Sequence, residues 1–142
     1  MTIPNLPSFV DIHKDVLNAL NNGTPIVALE STIITHGMPF PDNAEMASSV
    51  ETLIYDYGVV PATIAVIDGR IKIGLTPDEL MQLAKVKNAL KISRADMAFA
   101  ISQGKTAGTT VAATMIIARM VGIRIFATGG IGGVHKGAET TF

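Results

Sequence analysis

The chain has 142 residues, 48% of them apolar, with 11 basic and 12 acidic side chains and a formal net charge of −1. That is enough apolar material for one globular core, and the scattered charges exclude a phosphate-tracking surface for a nucleic acid polymer. The absence of cysteine excludes disulfides and thiolate metal sites. The lack of a basic-then-apolar leader or of an apolar run of about eighteen residues leaves no membrane role and points to a cytoplasmic protein.

Ser8 is placed to cap a helix expected to run to about Asn22, with Phe9, Ile12, Val16, Leu17 and Leu20 on one face and Gly23 as its stop. Residues 26–29 form a short continuous apolar run, the form of a strand covered on both faces. A loop is expected over residues 31–41. Residues 42–57 carry Ala44, Ala47, Val50, Leu53, Ile54 and Tyr57 at helical spacing, ahead of Gly58. Residues 61–67 read as a second buried strand. Asp68-Gly69, a favoured two-residue turn, joins it to residues 70–74 as a hairpin.

Thr76, Pro77, Asp78 and Glu79 supply a cap, a proline at the first helical position and acids near the positive end of the dipole, so a helix is expected to about Lys87. Residues 90–93 read as a short strand. A helix follows from Arg94 or Ala95 to Gln103, and another, rich in Ala, Met and Ile and interior in character, spans residues 111–121. Residues 123–127 are the last strand, opening into Thr128-Gly129-Gly130-Ile131-Gly132-Gly133-Val134-His135. There is no internal repeat or linker.

Strands alternating with helices predict an α/β fold with helices layered around a mostly parallel sheet. Ligands in such sheets collect at the carboxyl ends of strands. Three polar segments leave predicted strand ends in this way: residues 30–41, 91–96 and 128–139. Their convergence is the reason to expect an enzyme.

Glu30 follows four apolar strand residues, which suits a partly desolvated general acid or base; the alternative is a carboxylate that caps the next turn or pairs with a lysine. His36 sits in a loop containing Gly and Pro, either to bind an anion or orient a partner, or as a structural hydrogen bonder. Lys91, between Leu90 and Ile92 and close to Arg94, is either a phosphate or carbonyl ligand or a strand-edge lysine facing water. Gly108-Thr109-Thr110-Val111 precedes an apolar helix, so it either offers hydroxyls and amides to an anion or merely caps the helix. The glycines at 129, 130, 132 and 133 allow close backbone approach to a ligand, but their spacing is not that of a dinucleotide loop. His135, Lys136 and Glu139 do not make a metal set by spacing.

Residues 28–41, residues 60–67, Lys91-Ile92-Ser93-Arg94, Thr109-Thr110-Val111-Ala112 with Thr114-Met115-Ile116-Ile117-Ala118, and residues 126–142 together resemble the pseudouridine-5'-phosphate glycosidases, the indigoidine synthase A-like family. The resemblance covers nearly the whole chain from about Ser8. It implies reversible cleavage of the C–C glycosidic bond of pseudouridine 5'-phosphate to uracil and ribose 5-phosphate, through a Schiff base on a lysine, with manganese and a homotrimeric assembly. Carried over residue by residue, it makes Glu30 the proton donor and places Lys91, Thr110, Val111, Thr128 and His135 around the substrate.

The family's metal-binding aspartate and its Schiff-base lysine match no position up to Phe142, and Lys91 is not that lysine. The resemblance therefore implies that residues 1–142 are the amino-terminal part of a single domain whose carboxyl-terminal half is absent. Such a chain by itself is expected to be inactive, with no metal ligand of its own. The alternative is a catalytically inactive module that binds a sugar phosphate or a partner chain.

Overall fold

In the computed structural model, which describes residues 6–131 together with 137 and 140, the longest strand is β3 (Val60–Ile67), and six of its eight residues are buried. β2 (Ile26–Leu29) pairs in parallel with its first half, and β7 (Ile125–Ala127) pairs in parallel with β2. The second half of β3 is held antiparallel by β4 (Arg70–Ile73) and by β6 (Ala107–Thr109). β1 (Val10–Ile12) extends the sheet in parallel beyond β4, and β5 (Leu90–Ile92) does so beyond β6. Four of these six strand pairings are parallel, as the alternation of elements predicts.

Helices cover both faces. α1 (Lys14–Asn22), α4 (Met97–Ser102) and α5 (Val111–Val121) enclose a core that includes Ile64, Val66, Ile71, Ile73, Ile92 and Ile117. On the other face, α2 (Asp42–Asp56) and α3 (Pro77–Lys85) bury Ile34, Ala47, Ala65, Leu80 and Leu83. Successive side chains of β3 point to opposite faces, so Ala65 faces α2 and α3 while Ala62, Ile64 and Val66 face the first cluster. α5 is less interior than its composition suggests: Met115 is exposed, and burial follows Ala113, Thr114, Ile117, Ala118 and Val121.

The largest departure from expectation lies at residues 8–13. The helix expected from Ser8 starts only at Lys14, with His13 as its cap accepting from the Asp15 amide. β4 has an edge whose amides and carbonyls need partners. The Ile71 amide bonds to the Phe9 carbonyl and the His13 amide to the Ile73 carbonyl, both at 2.9 Å. Asp11 adds an ion pair to Arg70 at 2.6 Å and one to Lys72 at 2.9 Å, and Lys72 reaches on to Glu79 at 3.1 Å. The Arg70 hydrogen bond is the main cause that holds Asp11 well below the usual carboxylate range.

Asp68 and Gly69 both have positive φ, 48° and 75°, as the predicted hairpin turn requires. The capping signal before α3 is also realised: Thr76 Oγ1 accepts from the Glu79 amide at 3.2 Å, and Glu79 Oε2 accepts from the Thr76 amide at 2.9 Å. Thr76→Ala is expected to lower stability by about 1 kcal/mol in urea denaturation, with an unchanged slope. A change indistinguishable from zero would mean that the helix start is held by packing alone.

Candidate functional site

β2 and β7 lie side by side and end together, with Leu29 opposite Ala127. The next residue on each strand is therefore delivered to the same place. Thr128 Oγ1 donates to Glu30 Oε1 at 2.5 Å and accepts from the Gly130 amide at 3.2 Å. Both side chains line a cavity of about 270 Å³ between these strand ends and α2, whose other walls include Leu29, Ile33, Met46, Ala47, Val50 and Ala127. A half-buried carboxylate at the rim of an apolar cavity is the arrangement anticipated for Glu30. It is hydrogen bonded to a hydroxyl, and no lysine pairs with it among the described residues.

After Glu30 the chain meets β6 head on. Ser31 Oγ accepts from the Thr109 amide at 2.9 Å and lies 3.3 Å from Thr109 Oγ1. Thr109 Oγ1 donates to the Ile64 carbonyl at 2.7 Å and accepts from Thr114 Oγ1 at 2.9 Å. Ser31, Thr109 and Thr114 are completely buried. Thr109 is thus a core hydroxyl, not an anion ligand, and it ties the Glu30 strand end to the start of α5. Thr110 is the N-cap of α5, its hydroxyl accepting from the Ala113 amide and its own amide donating to the Ile92 carbonyl at 3.0 Å. Val111 is the first residue of α5 and is half-buried.

Residues 31–41 are not a plain loop. Ile33–Gly37 forms a π-helical turn that buries Ile34. Asn43, 2% exposed, donates to the carbonyls of Ile34 at 2.7 Å and Ala84 at 2.8 Å and so pins this turn to α3. At its far end Thr35 Oγ1 is 2.7 Å from Nδ1 of the exposed His36. Burial first, and then the Lys91 ammonium, push His36 below its ordinary value. Its hydrogen bond is to the neighbouring residue of the same turn, and the ring stays exposed, close enough to Lys91 to feel its charge.

Lys91 is exposed on β5, opposite Gly108 in register, and it is close enough to act on His36. Lys91, Thr110 and Val111 stand at the same meeting of strand ends as Glu30, but they do not line the cavity. His135 lies outside the described residues. No group of three or more His, Asp or Glu side chains that could hold a metal ion occurs among the described residues, so they do not fit manganese.

Glu51 and Thr63 form a pair that the sequence pattern does not reveal. Thr63, 2% exposed and part of the cavity wall, donates to Glu51 Oε1 at 2.5 Å. Burial raises Glu51 above its ordinary 4.5, outweighing the opposing effects of the Thr63 bond and of His13. The folded protein therefore holds this proton more tightly than the unfolded chain does, a stabilisation present below about pH 4.5 and lost as pH rises through the raised value. Glu51→Gln keeps an acceptor for Thr63 and removes the titration. Its melting temperature relative to the parent is expected to rise between pH 4 and pH 7; a flat difference across that range would contradict a raised Glu51.

A family model described as indigoidine synthase A-like protein matches residues 15–142. The chain belongs to the indigoidine synthase A-like family. Within it, the chain is 73% identical over 138 residues to a pseudouridine-5'-phosphate glycosidase of Dinoroseobacter shibae, covering 97% of this chain and 45% of that protein. It is 67% identical to one of Mesorhizobium japonicum, covering 94% and 44%. Among solved structures, the prealnumycin C-glycosynthase AlnA in complex with ribulose 5-phosphate superposes with a TM-score of 0.80 at 38% identity, over 96% of this chain and 44% of that one. An indigoidine synthase A-like protein of Thermotoga maritima gives the same TM-score at 28% identity, over 96% and 45%. The chain thus spans about half the length of the curated relatives it matches, and the fold expected from the family resemblance is the one observed. No described helix is long and apolar enough to cross a membrane.

Proposed function

We propose that this chain carries the proton-donor side of a pseudouridine-5'-phosphate glycosidase site, for reversible cleavage of the C–C glycosidic bond to uracil and ribose 5-phosphate. The observation that carries this reading is Glu30 at the end of β2, in the wall of an apolar cavity and bonded to Thr128 of the adjacent strand. It is supported by 73% identity to a relative bearing that name.

A C–C glycosidic bond has no heteroatom leaving group. Opening the sugar and forming an iminium on a lysine supplies an electron sink, while a general acid must protonate the uracil carbon. Glu30 is the group in this chain for that proton, and Thr128 fixes one of its oxygens. Lys91, Thr110, Val111 and Thr128, with His135, make up the substrate side of the proposal. The Schiff-base lysine is not assigned to Lys91. Manganese, a homotrimer and a cytoplasmic location belong to the same proposal.

The test combines this chain with the carboxyl-terminal portion of the Dinoroseobacter shibae relative and measures uracil released from pseudouridine 5'-phosphate in the presence of manganese. Release by the combination supports the assignment. None in any combination, while the intact relative is active, overturns it. The 38% identity to a chain that holds ribulose 5-phosphate favours a second reading, a sugar-phosphate-binding module without turnover. Calorimetric titration with ribose 5-phosphate separates the two, since a module binds the sugar phosphate where no combination releases uracil.

A further inference from the structure

His36 is the candidate of the segment after β2 that the proposed reaction does not use. Its place is set through Gly108. Gly108 and Lys91 are register partners in β6 and β5, and register partners present their side chains on one face of a sheet. On that face a Cβ at 108 would fall 2.2 Å from Thr35 Oγ1, so the π-helical turn rests on the β6 backbone where residue 108 has no side chain, directly beside Lys91. Thr35 Oγ1 lies in turn 2.7 Å from His36 Nδ1. Register, close approach and hydrogen bond therefore bring His36 and Lys91 to the same place. Both side chains are exposed, and Lys91 forms no ion pair among the described residues. The turn packs against α2, α3 and β6, and of the charged groups around it Lys91 is the one that acts on the ring. Two basic groups side by side with no carboxylate between them repel each other once both are charged, and an anion seated against both removes that repulsion.

We infer that His36 joins Lys91 as a two-point clamp on the phosphate of a sugar phosphate. The bonds of the turn suit this role. A charged imidazole is a donor at both ring nitrogens. Nδ1–H is met by Thr35 Oγ1, whose own hydrogen goes to the Ser31 carbonyl at 3.3 Å, so the turn holds the charged ring by one nitrogen and the other serves the anion. Without a ligand, burial and the Lys91 ammonium keep the ring below its ordinary value, while the Ala89 carbonyl acts the other way. A phosphate, close to doubly charged at neutral pH, reverses that balance, and its binding takes up a proton. A sugar without phosphate brings no such charge, so the pair selects the phosphorylated sugar. The inference rests on the proposed function for the identity of that sugar phosphate. Both groups belong to this chain, so the clamp is tested on the chain itself.

The test follows the ring C–H resonance of His36 by NMR against pH, identified by its loss in His36→Asn, with millimolar ribose 5-phosphate, inorganic phosphate or ribose. Ribose 5-phosphate is expected to move the titration midpoint of His36 upward, and ribose to leave it in place. His36→Asn and Lys91→Met, both at exposed positions, are each expected to weaken ribose 5-phosphate binding about tenfold at pH 6, the size of one hydrogen bond to a charged group, with circular dichroism and melting unchanged. The deficit of His36→Asn is expected to shrink at pH 8, and the ratio of parent to variant cancels the titration of the phosphate itself. Lys105→Met, exposed just before the other end of β6, is expected to bind as the parent does. An unmoved midpoint overturns the inference, as does His36→Asn binding as tightly as the parent. Inorganic phosphate bound as tightly as ribose 5-phosphate assigns the pair to a free anion and likewise overturns it. Uracil release, measured with the carboxyl-terminal portion of the Dinoroseobacter shibae relative, keeps the two readings apart. Release with an unmoved His36 removes the clamp and leaves the reaction; a His36 response without release in any combination removes the reaction and leaves the clamp.

Discussion

Glu30→Gln, assayed with this chain and the carboxyl-terminal portion of the Dinoroseobacter shibae relative together, is expected to lower uracil release by about 10²- to 10⁴-fold, the range for loss of a general acid. Glutamine has nearly the same shape, and its carbonyl oxygen still accepts the Thr128 hydroxyl that now bonds to Glu30 Oε1. The cavity walls and the β2–β7 pairing are then kept, and what is lost is the transferable proton. Thr128→Val, which removes the donor and keeps the carboxylate, is expected to cause a smaller fall. Retention of more than a tenth of the parent rate by Glu30→Gln, with melting temperature unchanged, would remove Glu30 from the proton-donor role. Wild-type complex formation measured in parallel separates a chemical defect from an assembly defect.

Where local signals and tertiary pairing agree, the elements were legible in the sequence. The Asp68-Gly69 turn, the cap at Thr76 and the boundaries of α5 depend on residues close together in the chain, and all three appear as expected. Residues 8–13 were not legible, because their state is decided by β4, some sixty positions away, whose edge needs partners that a helix would not offer. β6 escaped for a related reason. Ala107-Gly108-Thr109 has no apolar alternation, and only its seat between β3 and β5 makes it a strand. At the site, Glu30 was visible because a carboxylate directly after a buried run is unusual. The hydroxyl cluster of Ser31, Thr109 and Thr114 was not, since hydroxyl residues look alike in sequence whether they cap a helix or fill a core.

That hydroxyl cluster sits behind Gly108, where the second large effect is expected. Gly108 lies in β6 between Ala65 and Lys91 in register, and it is buried. A Cβ placed on it would fall 2.2 Å from Thr35 Oγ1 and 3.0 Å from the Ser31 carbonyl oxygen. The first contact can be relieved by moving a side chain, whereas the second is backbone of the segment that leads out of Glu30. Gly108→Ala is therefore expected to cost about 1–3 kcal/mol, the usual range for overpacking, and to lower turnover of the assembled protein by shifting residues 30–35. Thr35→Ala removes the nearer obstruction together with its bond to His36. In the double variant the two losses should sum to less than their separate values, because the methyl group no longer meets the hydroxyl. Simple additivity in urea denaturation would show that Gly108 is required for some reason other than the space taken by Thr35. Faster amide exchange over residues 31–37 in Gly108→Ala, with α3 and the β3–β4 hairpin unchanged, would place the disturbance at the turn that follows Glu30.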